Sequence, residues 1–280
     1  MNNTIKKREI FSPVMRVLTR LAAALTSFII LFIAGFIFIK GVPQLKPSLF
    51  AWEYTSENVS LMPALINTIS MTLLAMALAV PIGVFTAIFL VEYAKRGNKF
   101  VKVIRMAAET LAGIPSIVYG IFGMVFFVIA LGWRYSLLAG GCTMAIMVLP
   151  LIMRTTEEAL ISVPDSYREG SYGLGAGKLR TVFKIALPAA VPGILGGVIL
   201  AVGRVVGETA ALIYTAGTLA RVACSPMDSA RTLSVHMYRL SGEALNINEA
   251  YATAVVLILL VLAINSLASL LAKKMTGAQK

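Results

Sequence analysis

Arg204 and Glu208 are charged residues within an otherwise apolar stretch, and their spacing suits the binding of an anion. Residues four apart lie on one face of an α-helix, so the two side chains are expected to project together. Arg204 would stand about 24 Å along a helix that starts at Pro188, deep in the hydrocarbon of a membrane. A charge there costs at least about 2.5–3.5 kcal/mol, so it should face protein or water.

Two roles fit this pair of charges. Arg204 offers a planar fork of donors that matches an oxyanion. Glu208 would hold Arg204 while the path is empty, or accept a proton-bearing hydroxyl from the ion, which would favour hydrogen phosphate over sulfate. Alternatively, the pair neutralises itself or locks two helices, although the order Arg before Glu makes self-pairing only modestly stabilising. We predict that Arg204 and Glu208 line an anion pathway.

The remaining titratable groups suggest structural roles. Arg105 and Glu109 repeat the same spacing where a basic loop meets the third apolar run, and we predict an interfacial ion pair. His236 is the only histidine and lies in a polar segment, where we expect a loop or partner contact. Neither cysteine belongs to a metal or redox motif. We therefore predict no catalytic residue and no metal site.

The polar segment 154–188 is predicted to fold as two short helices. Pro164 can start the first helix, because its missing N–H has no partner at a helix start anyway. Gly175 suits the left-handed residue that ends this helix. A second helix over Lys178–Ala186 would then lead to Pro188, which opens the next apolar run.

Part of this segment, Gly173–Lys178, looks like a phosphate-binding loop. Such a loop needs Gly where Tyr172 stands and Ser or Thr where Leu179 stands, and no strand precedes it. The chain is therefore expected to bind no nucleotide or other cofactor. ATP and Mg²⁺ would belong to a partner polypeptide.

The composition is that of an integral membrane protein built from helices. Of the 280 residues, 58% are hydrophobic and only 14% are charged, with a mean hydropathy of +0.84. An apolar helix of about 20 residues crosses a bilayer, and a β-barrel would show alternating ten-residue segments instead. Six runs qualify as spans in contact with membrane lipid: Leu21–Ile39, Leu61–Val91, Thr110–Gly132, Tyr135–Met153, Ile185–Gly203 and Ala250–Ala272.

The excess of basic residues follows the membrane topology. With the N-terminus inside, eighteen of the 25 Lys and Arg residues fall on the cytoplasmic side and six on the other. This asymmetry places both termini in the cytoplasm and argues against nucleic acid as the partner. We predict a single membrane domain over 1–280, with a cytoplasmic N-terminal segment 1–20, a cytoplasmic loop 154–188 and an external loop 217–249.

The order of residues in the 154–188 loop resembles the EAA loop of ATP-binding-cassette (ABC) importer permeases. The matching positions are Glu169, Gly170, Ser171, Gly175, Ile185, Leu187 and Pro188. Gly170-Ser171 stands where the family usually has two alanines, and both residues remain small. The resemblance implies that this loop couples the chain to a separate ATPase.

Two further strings, Glu109–Gly120 and Gly207–Ala211, resemble the permeases of phosphate-specific (Pst) importers, the second string being closer to their PstA group. The resemblance covers nearly the whole chain. It implies a type I ABC importer permease fold, location in a bacterial cytoplasmic membrane and inorganic phosphate as substrate. The implied partners are a PstC-like second permease subunit, a PstB-like ATPase homodimer and a PstS-like external phosphate-binding protein. Alternatives are a permease for sulfate or molybdate, an ion-coupled secondary transporter, or a non-transporting scaffold for phosphate sensing.

Overall fold

The computed structural model describes residues 2–95, 97–242 and 246–277, with side chains from residue 15 to residue 270 outside the same gaps, and contains no strand in these ranges. Three π turns extend helices: Phe89–Tyr93 after α2, Met124–Ala130 after α4, and Val182–Ala186 between α7 and α8. The helices are α1 (Asn2–Gly41), α2 (Met62–Ile88), α3 (Lys99–Ala112), α4 (Ser116–Gly123), α5 (Leu137–Ile161), α6 (Asp165–Gly173), α7 (Lys178–Thr181), α8 (Leu187–Gly207), α9 (Ala210–Thr215), α10 (Leu233–Gly242) and α11 (Ile247–Gly277).

Within the described residues, five helical stretches are long and apolar enough to cross a membrane, and the bent α3–α4 pair supplies a sixth if it counts as one span. Their bounds are Met15–Gln44, Met62–Tyr93, Leu137–Ile161, Lys178–Gly207 and Ile247–Leu270. Each predicted span overlaps one of these elements. The largest difference lies in the third span.

The third predicted span, Thr110–Gly132, is not one continuous helix. α3 ends at Ala112, and the helix that follows is bent by 103° relative to it. Pro115 lies in the break and takes the extended conformation as the N-cap of α4. Its ring locks φ and it has no N–H to donate, so the α3 helix cannot run through it. Residues 110–112 therefore belong to an amphipathic helix that runs across the direction of α4.

The polar segment 154–188 has the two predicted short helices, but its limits differ from the prediction. α5 continues to Ile161, so the first eight residues of the segment extend the fourth span. α7, the π turn and α8 form one helical stretch over Lys178–Gly207, and no break separates the second short helix from the fifth span. The π turn ends two residues before Pro188, and its different hydrogen-bond register suits a residue that has no N–H.

The main apolar core is formed where α2, α5 and α8 pack together. Ala75 and Ala79 of α2, Met147 of α5 and Ala201 and Val205 of α8 are almost completely buried in one cluster. Small residues allow membrane helices to approach closely. This packing fixes the face of α8 next to Arg204.

The predicted external loop 217–249 is largely folded onto the helices. It contains α10, and Asn67 of α2 anchors the stretch before that helix. The Asn67 amide donates to the carbonyls of Arg221 (2.8 Å) and Arg231 (3.2 Å), and its oxygen accepts from the Ala223 N–H (2.9 Å). A buried polar group needs such partners, so Asn67 is an anchor that the apolar pattern of the second span did not reveal.

The prediction that His236 is a loop or partner-contact residue is wrong. His236 lies in α10 with no exposed surface, edge-on to Tyr54, and its Nδ1 is 3.4 Å from Arg231 Nη1. Burial, followed by the nearby Arg231 guanidinium, lowers the pKa of His236 to about 4, and a backbone hydrogen bond with Val59 opposes the shift only in part. The ring is therefore neutral at physiological pH, which lets Nδ1 accept a hydrogen bond from Arg231.

Two glycines of α8 make room for α5. A Cβ at Gly193 would lie 2.7 Å from Ala159 Cβ, and one at Gly197 would lie 2.6 Å from Thr155 Cβ. A Cβ at Gly203 or Gly207 would meet no described atom within 4 Å. Gly193 and Gly197 thus allow the close approach that small residues four apart permit in membrane helices, whereas Gly203 and Gly207 make no close helix contact with the described residues.

We expect Gly197→Ala to lower the thermal midpoint of the purified protein, since overpacking a close contact costs roughly 1–3 kcal/mol. Thr155 is β-branched and its hydroxyl donates to the Leu151 carbonyl at 2.9 Å, so it has little freedom to move away. Gly196→Ala is the matched control on the same helix, because its Cβ would meet no described atom within 4 Å. Equal midpoints for the two variants, measured in one detergent, would refute this account of the α5–α8 contact.

Candidate functional site

The residues of the EAA-like loop form a small knob at the end of the helical bundle, here called the coupling knob and defined as residues 165–186. Glu169 and Gly170 lie in α6 and are exposed, and α6 contributes no buried residue. Gly175 has φ of +79°, the left-handed conformation predicted for it. This conformation costs glycine little, and it turns the chain so that α7 folds back beside α6.

The outer surface of the coupling knob carries several exposed apolar side chains beside the basic Arg180 and Lys184. Leu174 is 91% exposed and Leu179 is 66% exposed, with Tyr167, Tyr172 and Ile185 also exposed nearby. A groove of about 490 Å³ on this surface is lined by several of the predicted coupling residues: Gly170, Ser171, Gly175 and Ile185. A cluster of exposed apolar side chains beside a charged residue is typical of a protein–protein interface.

The inner side of the coupling knob ties it to the fifth span. The hydroxyls of Ser171 and Thr181 are 2.8 Å apart and join α6 to α7. Thr181 is buried, and Leu187 and Pro188 are half-buried where α8 begins. The sequence motif therefore divides into residues that face outward and residues that hold the knob together.

Arg204 borders a cavity of about 520 Å³ between α3, α5 and α8. Glu109 of α3 and Pro150 of α5 line the same cavity, as do two arginines and two further glutamates. Arg204 is half-buried in the C-terminal turn of α8. Among the described side chains, no carboxylate lies within ion-pair distance of Arg204. Its charge therefore faces the cavity without a fixed counter-ion.

The other two arginines of this cavity are paired. Arg105 forms its ion pair with Glu157 of α5, and Arg154 Nε lies 3.1 Å from Glu158 Oε1. The predicted pairing of Arg105 with Glu109 is thus corrected, because packing of α3 against α5 brings the Glu157 carboxylate to Arg105. Within the described part of the chain, no ion pair is recorded for Glu109.

Glu208 does not share a helical face with Arg204, which corrects that prediction. α8 ends at Gly207 and Glu208 is extended, with φ of −73° and ψ of 131°. Its Oε1 instead accepts a hydrogen bond from the Ala211 N–H at 3.1 Å, at the first turn of α9. Free N–H groups at a helix start need such an acceptor. The structure thus gives Glu208 a positioning role at the helix break beside Arg204.

The two strings singled out in the sequence lie against each other. A Cβ at Gly120 would lie 2.8 Å from Ala211 Cα, so α4 and α9 meet closely at this glycine. Next to it, the Tyr119 hydroxyl donates to the Leu111 carbonyl at 2.7 Å, across the bend between α3 and α4. These contacts hold the bend, which borders the cavity at Ala112, in a fixed relation to the end of α8.

Sequence reasoning missed Arg154, Glu157 and Glu158 as residues of this cavity. Their i,i+4 spacing at the end of the fourth span was a visible signal for the Arg154–Glu158 pair. The partner of Arg105 comes from another helix, and no local pattern of residues indicated it.

The comparisons with known proteins agree with this architecture. A model of the family described as "Binding-protein-dependent transport system inner membrane component" matches residues 79–277. The chain is 34% identical over 285 residues to "Probable ABC transporter permease protein YqgI" of Bacillus subtilis (strain 168), covering 92% of this chain and 95% of that relative. It is 40% identical over 154 residues to "Phosphate transport system permease protein PstA" of Mycobacterium leprae (strain TN), which spans 55% of this chain and 50% of that protein.

Solved structures show the same fold. A chain from a bacterial ABC transporter that imports the acidic polysaccharide alginate aligns with a TM-score of 0.68 at 14% identity, covering 96% of this chain and 99% of that one. A chain of the MetNI methionine ABC transporter in an inward-facing conformation aligns with a TM-score of 0.59 at 19% identity, covering 77% and 94%. The predicted fold class, an all-α type I ABC importer permease, is confirmed.

Proposed function

Because this chain belongs to the family of binding-protein-dependent transport system inner membrane components and is a multi-pass permease subunit of an ABC importer, we propose that it imports inorganic phosphate. Arg204 would bind the ion on its way through the membrane. The observation that carries this proposal is Arg204, which faces a cavity between α3, α5 and α8 without a fixed counter-ion among the described residues, while the other two arginines of the cavity are paired. The likeness to PstA permeases supports phosphate as the cargo.

The assembly that we propose contains four further chains. A PstC-like permease would complete the pathway, and a PstB-like ATPase homodimer, which binds ATP and Mg²⁺, would dock on the coupling knob. A PstS-like binding protein would deliver phosphate outside. Closure of the ATPases on ATP would pull the knob and open the path outward, and hydrolysis would return it to the inward-open state.

A second candidate cargo is another oxyanion, such as sulfate or molybdate. The bidentate donors of an arginine suit any tetrahedral oxyanion. Glu208 was expected to select a protonated ion, but one of its oxygens is engaged by the Ala211 N–H. Selection between oxyanions is therefore assigned largely to the external binding protein and only in part to this chain.

Uptake by the reconstituted complex tests the proposal. Vesicles that enclose ATP are supplied outside with the binding protein and radiolabelled phosphate. We expect uptake that requires ATP and that about a hundredfold excess of sulfate or molybdate does not reduce, since a site built for one hydrogen-bond pattern rejects the wrong partner strongly. Uptake without ATP would refute the proposed ATP-driven mechanism. Transport of sulfate in place of phosphate would establish the second cargo.

A further inference from the structure

Arg168 of the coupling knob and Glu92, at the end of the second span, form a well-shielded ion pair. Glu92 Oε1 accepts from Arg168 Nη2 at 2.8 Å and from Arg168 Nε at 3.1 Å. The Arg168 side chain is only 13% exposed and the Glu92 side chain only 6%. The two residues are 76 positions apart in the sequence, and three helices, α3, α4 and α5, lie between them along the chain.

Arg168 also binds the end of the fourth span. Its Nη2 donates to the Leu160 carbonyl at 2.9 Å and its Nη1 to the Val163 carbonyl at 2.8 Å. The last carbonyls of a helix have no partner further along the helix, and Arg168 donates to one of them and to the linker after it. One guanidinium therefore connects α6 with both the second and the fourth spans.

This polar connection matters because α6 has little else to hold it. None of its residues is buried, so it contributes no side chain to an apolar core. A second contact reaches the same π turn, where Lys178 Nζ lies 5.1 Å from the centroid of the Tyr93 ring. The polar contacts of the coupling knob with the second span thus fall on two neighbouring residues of the turn, Glu92 and Tyr93, while Val182 of the knob lies in the same apolar cluster as Ile88 of α2.

α2 packs against the two helices, α5 and α8, that border the cavity of Arg204. Ile88, one turn before Glu92, packs with Leu160 of α5 and Val182 of the π turn before α8. Farther along α2, Ala79 packs in the same cluster as Val205, the residue next to Arg204. Rigid packed helices can carry a displacement from one end of a helix to the other, so a movement at Glu92 can reach the residues that pack beside Arg204.

Building on the proposed ABC coupling, we infer that the Arg168–Glu92 pair is the connection through which movement of α6 is passed to α2. Both residues are positioning residues, since neither touches the cargo or the nucleotide. Because a buried pair leaves an uncompensated charge when one partner is removed, either single substitution should disconnect α6 from the second span without removing the outer docking surface of the knob.

The test compares Glu92→Gln, Arg168→Gln and the double variant in the reconstituted complex, with phosphate imported per ATP hydrolysed as the readout. We expect each single variant to lower this ratio about tenfold, and the double variant to be no worse than the more affected single variant, because all three break one connection. Glu57→Gln is the matched control, since it makes the same change of a carboxylate to an amide at an exposed residue between the first two spans, outside the coupling knob. It should leave the ratio unchanged.

A merely structural pair would reduce assembly, ATP hydrolysis and uptake in proportion and leave the ratio intact, which would overturn the inference.

A second readout is independent of the cargo. Spin labels at positions 85 and 166, in a background without the other cysteines, report the distance between α2 and α6. We expect the same distance with and without ATP in the parent protein and an ATP-dependent change in Glu92→Gln. If the parent imports no phosphate, the proposed cargo fails, while an unchanged distance in the variant would refute the connection itself.

Discussion

Replacing Arg204 with Gln should lower the initial rate of phosphate uptake by about a hundredfold or more, since truncating one partner of a buried charged contact costs roughly 2–5 kcal/mol. Gln keeps a comparable length and can still donate one hydrogen bond, but it has neither the charge nor the fork of donors. The cavity also holds two neutralised arginines, Arg105 and Arg154. Neither can replace Arg204 without leaving a glutamate unpaired.

The variant should still assemble with its partners, because Arg204 is half-buried and has no fixed ion pair among the described residues to lose. Arg20→Gln serves as the control, as it makes the same chemical change at an exposed position of α1. Complex recovery by affinity purification and uptake are measured on the same samples. Normal uptake by Arg204→Gln, at wild-type levels of complex, would exclude this arginine from the pathway.

Arg204 and Arg105 show which features of a charged residue can be predicted from the sequence and which cannot. A charge in the middle of an apolar run is visible without any structure, because its desolvation cost demands a reason. The partner of a charge is not visible when it comes from another helix, as Glu157 does for Arg105. The i,i+4 rule offered Glu109 in its place, and the packing of α3 against α5 decided otherwise.

Helix breaks also differ in how well the local sequence predicts them. The left-handed turn at Gly175 was predictable because local backbone sterics alone favour glycine there. Pro115 prevents a continuous α-helix through the third span, but the 103° bend depends on neighbours such as Tyr119, whose hydroxyl donates to the Leu111 carbonyl across it. His236 was misplaced for a related reason: a polar segment of sequence became a buried one once Asn67 and α10 folded it onto the bundle.

Changing Glu169 to Lys should uncouple the transporter, with phosphate imported per ATP hydrolysed falling at least about tenfold, since placing a like charge at an interface costs several kcal/mol. Glu169 is exposed on α6, beside the groove that Gly170 and Ile185 line. It makes no described ion pair within this chain, so its carboxylate is available to a partner.

Because Glu169 contributes nothing to the buried core, the change should not lower the thermal midpoint of the isolated subunit. Glu57→Lys is the matched control, since it makes the same charge reversal at an exposed residue between the first two spans, on the side predicted to be external. The Glu169 variant should therefore differ from both parent and control in binding of the ATPase and in the coupling ratio, but not in thermal midpoint. If both stay normal, the ATPase does not read the exposed face of α6, and the docking surface must be sought on the apolar side chains around Leu174 and Leu179.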